Sequence, residues 1–243
     1  MYCKNCNTLV KQHFCPNCGQ KASTQRFTLK SAVIDVFFDN VLEVNKGLIY
    51  TIKQLFTRPG HSVREYVQGK RINYRNYLEL LLITIAVSYF LGEYAIIQTS
   101  DLLGYENMYK EANELVKKFG RFSSEHTKLY MLMLIPINAV FSFLWFRRAK
   151  QNFMEHLIII TYKSCAELII STTFVIITIF YADIIVLKTI LNVISGLIML
   201  YSIWFLYQYF SFFEYKKWKL IILSILVTIS AQTLIGIVLA ILA

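Results

Sequence analysis

The sequence predicts an all-α polytopic membrane protein, with about five transmembrane helices behind a small cysteine-rich head and juxtamembrane amphipathic helices. Three observations predict it. The chain of 243 residues is 56% hydrophobic and only 16% charged, less charge than an ordinary soluble domain carries. Its apolar residues are gathered into long blocks instead of being spaced as in a soluble core. One block, Phe153 to Ala182, is apolar enough to cross a bilayer yet contains Glu155, His156, Lys163 and Glu167. A single ionisable group at the bilayer centre costs about 2.5–3.5 kcal/mol even on a lenient insertion scale. Such a block needs a protein-lined or wet interior, so other helices must surround it. As a helix it would be about 45 Å long, against about 30 Å of hydrocarbon. The chain divides into a head (1–20), a linker with juxtamembrane helices (21–76) and a transmembrane domain (77–243). Residues 1–26 are polar, without the apolar stretch of a signal peptide.

The head reads MYCKNCNTLVKQHFCPNCGQ. Cys3 and Cys6 form one C-x-x-C, and Cys15 and Cys18 form the other. Each pair can make a tight knuckle with both sulfurs facing one ion. Asn7 and Gly19 follow the two second cysteines, and these residue types tolerate the left-handed backbone such a turn requires. Four thiolates in a tetrahedron suit Zn²⁺, and with every position filled by protein the ion would be structural, not catalytic. A segment this short buries almost no core, so the ion would supply most of the folding free energy of this zinc ribbon. A redox dithiol pair and an iron site are the competing readings. His13 is expected at the surface. The odd fifth cysteine, Cys165, sits in an apolar block and reads as a small packing residue. Paired C-x-x-C motifs place the head in a reducing compartment.

After the linker, FTLKSAVIDVFFDNVLEV has apolar residues at helical spacing behind Thr28, a plausible N-cap. It is too interrupted by charge to span, and reads as an amphipathic helix docked on the bundle or lying at the interface. A short helix from Leu48 to Thr57 should stop at Pro59-Gly60. Ser62-x-x-Glu65 has the pattern of a capping box opening a second short helix, which Gly69 would end. Arg64, Lys70, Arg71 and Arg75 then cluster just before the first span, among Tyr66, Tyr74 and Tyr77. Positive-inside anchoring accounts for them. The sharper reading is a binding site for lipid headgroups or another anion. Membrane proximity explains these charges without nucleic acid.

The expected spans are Tyr77 to about Thr99, Leu129 to Phe146, Phe153 to Ala182, Ile184 to Phe213, and Leu220 onward. Residues 1–76 hold twelve Lys/Arg against four acids, whereas residues 100–128 hold five of each. The loops after the second and fourth spans carry Arg147, Arg148 and Lys150, and Lys216, Lys217 and Lys219. This alternation puts the N-terminus in the cytoplasm and the C-terminus outside. It agrees with the reducing compartment read from the cysteines. The neutral segment, with YENMYKEANELVKKF at its centre, reads as an external loop containing a helix.

On the third span, His156, Lys163 and Glu167 lie at i, i+7 and i+11, on one helix face, with Glu155 about 100° round. Lys163 should lie about 15 Å into the helix, near the midplane. A structural ion pair, joined by Asn138, Asn192 or Gln232, and a path for substrate, ion or proton are the two readings. Neighbours in sequence point apart, which disfavours a metal site at Glu155-His156. No G-x-S-x-G, H-E-x-x-H or P-loop is present.

The knuckles from Cys3 to Gln20, T-I-K-Q-L-F-T-R-P-G (Thr51 to Gly60), R-E-Y-V-Q-G-K-R (Arg64 to Arg71) and N-F-M-E-H-L (Asn152 to Leu157) together resemble a bacterial family of zinc-ribbon membrane proteins, a domain of unknown function. The resemblance covers most of the chain and implies a protein of the bacterial inner membrane. It lends no reaction. The family pattern often has a proline soon after G-K-R…Y, where this chain has Arg75-Asn76.

The sequence thus points first to an inner-membrane binding or scaffold protein, whose structural zinc ribbon and basic helices engage membrane lipids, a protein partner or a second copy. A transporter or channel component using the polar third span is the alternative. A lipid-acting membrane enzyme with Glu155 and His156 as acid and base is the weakest reading.

Overall fold

A computed structural model describes residues 1–22, 24, 26–28, 47–97, 102 and 114–242. Among them lie eight α-helices: α1 (Gly47–Thr57), α2 (Pro59–Val67), α3 (Tyr77–Gly92), α4 (Glu114–Glu125), α5 (Thr127–Trp145), α6 (Phe153–Phe180), α7 (Ile184–Phe210) and α8 (Lys217–Leu242). No strand is formed by these residues, only two isolated antiparallel bridges in the head, Tyr2 with Leu9 and Phe14 with Lys21. The amphipathic helix expected after Thr28 lies outside the described residues, as does most of the Ser100–Lys128 segment apart from α4.

Helix α6 is the hub. It packs against α1, α2, α3, α5 and α7, while α8 closes the bundle against α5 and α7. From Met154 to Leu168 no residue of α6 is exposed; exposed positions return at Thr173, Ile176 and Phe180. A helix enclosed on all sides over its first half can hold ionisable side chains that lipid would reject. Helix α7 shows the opposite pattern. Its first two-thirds expose Ile185, Val193, Leu197 and Leu200, an apolar surface suited to hydrocarbon.

Helices α6, α7 and α8 are long and apolar enough to cross a membrane. The other two expected spans, Tyr77–Gly92 and Leu129–Trp145, are apolar but shorter. Helix α6 stops at Phe180 because Tyr181 turns extended and Asp183 caps α7 through the Ile185 and Val186 amides.

The short helices depart from expectation in an instructive way. Pro59 does not separate two helices by a loop: it is the first residue of α2, after the single residue Arg58. Proline is favoured there, since its missing N–H would have no intrahelical partner. Ser62 forms no capping box. Its hydroxyl donates to the Pro59 carbonyl, and Glu65 pairs with Arg58. The cap comes from another helix instead: the Gln208 side-chain oxygen of α7 accepts from the Gly60 amide at 2.8 Å and the His61 amide at 3.3 Å. In return Arg64 of α2 donates to the Tyr209 carbonyl near the end of α7 at 3.2 Å. Each helix thus satisfies backbone groups that the other leaves open at its terminus.

Candidate functional site

Three groups of side chains are candidates: the cysteine cluster, the basic juxtamembrane residues and the interior of α6.

In the head the two knuckles repeat one pattern. The Asn7 amide donates to Cys3 and the Gly19 amide to Cys15, both at 2.9 Å. Asn7 (φ 59°) and Gly19 (φ 76°) take up the left-handed conformation. The knuckles face each other, and the ligand atoms of Cys3, Cys6, Cys15 and Cys18 all lie within 4.8 Å of one another. The closest pairs are Cys6–Cys15 at 3.4 Å, Cys6–Cys18 at 3.5 Å and Cys3–Cys18 at 3.6 Å. A tetrahedral ion with bonds of about 2.3 Å would hold its sulfurs about 3.8 Å apart, close to these separations. The cluster could therefore hold a metal ion. His13 is exposed and lies outside it.

The head is docked on the body. The buried Gln20 amide donates to the Gly69 carbonyl at 2.8 Å and accepts from the Arg71 amide at 3.0 Å. Gly69, at φ 112°, adopts a backbone that side chains resist, and a Cβ there would lie 2.7 Å from Lys4. Two of the quoted sequence motifs thus meet: the last residue of C-P-N-C-G-Q holds the glycine of V-Q-G-K-R. Gln20→Ala removes both bonds and strands two backbone groups at a buried contact, a cost of about 1–3 kcal/mol. Limited proteolysis should then cut the linker after the head markedly faster, while the bundle stays intact.

The four juxtamembrane cations have different partners. Arg64 reaches the end of α7, touches His61 Nδ1 at 2.7 Å and lies 4.9 Å from the Phe212 ring centre. Burial, then Arg64 and Arg58, push His61 below its ordinary value, and because a guanidinium can only donate, the Nδ1 facing Arg64 accepts. Lys70 lies 3.8 Å from Glu65. Burial works against the charge of Glu65, but the Tyr74 hydroxyl, Arg58 and Lys70 outweigh it and hold the carboxyl below the usual range. Arg71 stacks on Phe27, 3.6 Å from the ring centre. Arg75 pairs with Glu79 at 2.6 Å. Each cation has an intramolecular partner.

The polar stripe of α6 divides into three. Glu155 belongs to the head end: with Asn152 it forms a capping box, and Arg26 grips its carboxylate at 2.6 and 2.7 Å. Asn152-x-x-Glu155, within N-F-M-E-H-L, is a capping pattern legible in the sequence. His156 turns to α5, where its Nδ1 lies 2.8 Å from the Ser142 hydroxyl. Phe210 stacks beside it, and Phe146 stacks on Phe210 at 3.7 Å. His156 Nε2 is buried without a hydrogen-bond partner among the described residues. Glu155 and His156 thus point apart, each engaged elsewhere.

Lys163 and Glu167 form an ion pair at 2.6 Å, and the Ser202 hydroxyl of α7 donates to the same carboxylate oxygen. They line a cavity of about 520 Å³ between α3, α5, α6, α7 and α8. Asn138, Ser164, Gln232 and Thr233 add polar groups to its wall, which is otherwise mostly aliphatic. Asn192, named with them from sequence, is exposed and not part of it. Ser202 was missed in the sequence, where an isolated serine in an apolar run gives no signal. Glu167→Gln alone leaves Lys163, 5% exposed, beside a neutral partner. The single change is expected to cost about 3–5 kcal/mol, and the double change Lys163→Met/Glu167→Gln far less. Thermal unfolding of the purified variants in detergent reads the difference.

Residues 45–89 match the family described as Protein of unknown function (DUF3667). The match takes in α1, α2 and most of α3, with the R-P-G and V-Q-G-K-R segments, and leaves the cysteine head outside it. No curated protein and no solved structure matches the chain.

Proposed function

We propose that the chain is a five-span binding protein of a bacterial cytoplasmic membrane. Its head, folded around a structural Zn²⁺, lies on the cytoplasmic side, and the bundle cavity is its ligand site. The observation that carries this reading is the cavity of about 520 Å³ with an ion pair in its wall. Buried charges that served only to lock helices would be packed against protein; these border open space large enough for a small polar group. The zinc assignment rests on four sulfurs with no oxygen or nitrogen ligand, and the orientation on the basic head and loops. The basic residues read from sequence as a headgroup site also have partners within the chain, and this reading gives them the joining of α2, α3, α7 and the head. No reaction is proposed.

The test is a cysteine in the wall. Ser164→Cys should react with a maleimide in detergent, above the labelling of the unsubstituted chain through Cys165 and the four head cysteines, and membrane lipid extract or a soluble metabolite pool should slow that added reaction. Unimpeded labelling under every addition would count against a ligand site.

A transport role is the second reading, favoured by the cavity's placement. Its wall uses Lys163 to Leu168 of α6 and Ser195 to Ser202 of α7, at least one helical turn along from the start of α6 and the end of α7, where Phe146 and Phe210 stack. A site closed toward the head is a feature of one of the two states a carrier alternates between. Flux in proteoliposomes that survives Lys163→Met/Glu167→Gln would contradict it.

A further inference from the structure

The cavity has a charge balance, a lining and a mouth, and together they restrict what it can hold. The charge balance comes from Lys163 and Glu167, one turn apart on α6 and in contact at 2.6 Å. The pair is neutral as a whole. A ligand with net charge would bring one sign in excess into a low-dielectric interior, where an uncompensated charge is expensive. A ligand carrying both signs a few ångströms apart adds none. Its anionic end can take a hydrogen bond from the Lys163 ammonium and its cationic end can donate to Glu167. The Glu167 side chain is the more open of the two, 21% exposed against 5%, so the carboxylate offers the first contact. Ser202 holds that carboxylate from α7 and Asn138 adds an amide from α5.

Much of the rest of the wall is aliphatic, with Leu81 and Ile85 of α3, Leu132 and Ile135 of α5, and Ile198 of α7, although Ser164, Gln232 and Thr233 also border the cavity. A polar ligand without a tail would leave these surfaces uncovered. The mouth lies on the flank of the bundle. Met199 (44% exposed) and Ile229 (36%) stand in the middle of α7 and α8, not at their ends, with Met131 of α5 at 37%. Around them Val193, Leu197 and Leu200 expose the apolar surface of a membrane-crossing helix. An opening among such residues faces hydrocarbon, so what enters comes from the bilayer.

From these features we infer that the cavity takes the zwitterionic headgroup of a membrane amphiphile, its phosphate at Lys163 and its ammonium at Glu167, with an acyl chain leaving between Met199 and Ile229. The inference rests on the cavity being a ligand site.

The test uses the full-length protein in an uncharged maltoside micelle. It measures protection of Ser164→Cys from maleimide, and retained lipid by native mass spectrometry. Four probes are compared: phosphatidylethanolamine, phosphatidylglycerol and diacylglycerol with the same acyl chains, and water-soluble phosphoethanolamine. Phosphatidylethanolamine should protect at concentrations about tenfold lower than the other three. That preference should vanish in Lys163→Met/Glu167→Gln and survive in the charge swap Lys163→Glu/Glu167→Lys, which keeps both signs. Equal or better protection by phosphatidylglycerol or diacylglycerol would overturn the headgroup assignment. Equal protection by phosphoethanolamine would overturn the amphiphile. Either result leaves the ligand site standing, whereas no protection by any probe removes the site itself. If the double variant fails to fold, the charge swap alone decides: loss of the preference when both signs are present overturns the proposal.

Discussion

Serine in place of Cys3, Cys6, Cys15 or Cys18 is expected to unfold the head and empty it of metal, with the bundle left in the membrane. The expectation follows from how little else holds these residues. The buried apolar cluster of the head is Cys3, Val10 and Cys15, a core far too small to fold alone. Two isolated bridges and a few turn hydrogen bonds supply the rest of its order. In small peptides a structural zinc ion contributes about 10–16 kcal/mol of apparent binding free energy, all of it coupled to folding. Three sulfurs and a hydroxyl make a much weaker site, and no histidine stands in reserve because His13 is outside the cluster. Metal analysis of the purified wild type should give one ion per chain and the variants close to none. Chelation of the wild type should produce the same proteolysis pattern as Gln20→Ala, because Gln20 cannot reach Gly69 once its knuckle opens. Full metal content in Cys6→Ser would rule out the four-sulfur site. Acidification should act in the same direction, since protons compete with the metal for thiolates.

The features legible in the sequence are those that depend on nearest neighbours along the chain. Left-handed Asn7 and Gly19, the facing knuckles and the contact of Lys163 with Glu167 all follow from spacings of a few residues. The enclosure of α6 was legible too, because ionisable groups in an apolar block demand company. What could not be read is who the company would be. Gln208 caps a helix 148 residues away, and Ser202 meets Glu167 across two helices. Neither leaves a pattern in its own segment. The helical face shared by His156 and Lys163 was read as one stripe, yet the two lie about 10 Å apart along the axis. At one height the face meets Ser142 and Phe210; at the next it meets a void. Periodicity gives a direction around a helix and says nothing of what stands opposite at each level. The partners of the basic cluster were hidden for a related reason: counting cations near a membrane does not show that one stacks on Phe27 and another pairs with Glu79.

Gly60→Ala should be among the most damaging single-methyl changes in the body. Helix α2 crosses α7 with its second residue laid against bare backbone. A Cβ on Gly60 would lie 2.1 Å from the Tyr209 nitrogen, 2.6 Å from the Gln208 carbonyl carbon and 2.7 Å from the Phe205 oxygen. No side chain is available to swing aside, so one helix must shift. A shift would stretch the bonds from Gln208 to the Gly60 and His61 amides and from Arg64 to the Tyr209 carbonyl, all of which depend on this approach. Overpacking alone costs about 1–3 kcal/mol, and the lost caps bring the expected total to about 3 kcal/mol or more. Gly196→Ala on α7 is the control, since a Cβ there meets nothing within 4 Å. That change should be neutral or slightly stabilising, because alanine has less backbone freedom than glycine to lose from the unfolded chain. Thermal unfolding of both variants in the same detergent decides the matter. Equal midpoints would mean that α2 does not sit on α7 as described. A large loss for Gly60→Ala alone would explain in physical form why R-P-G ends in the one residue without a side chain.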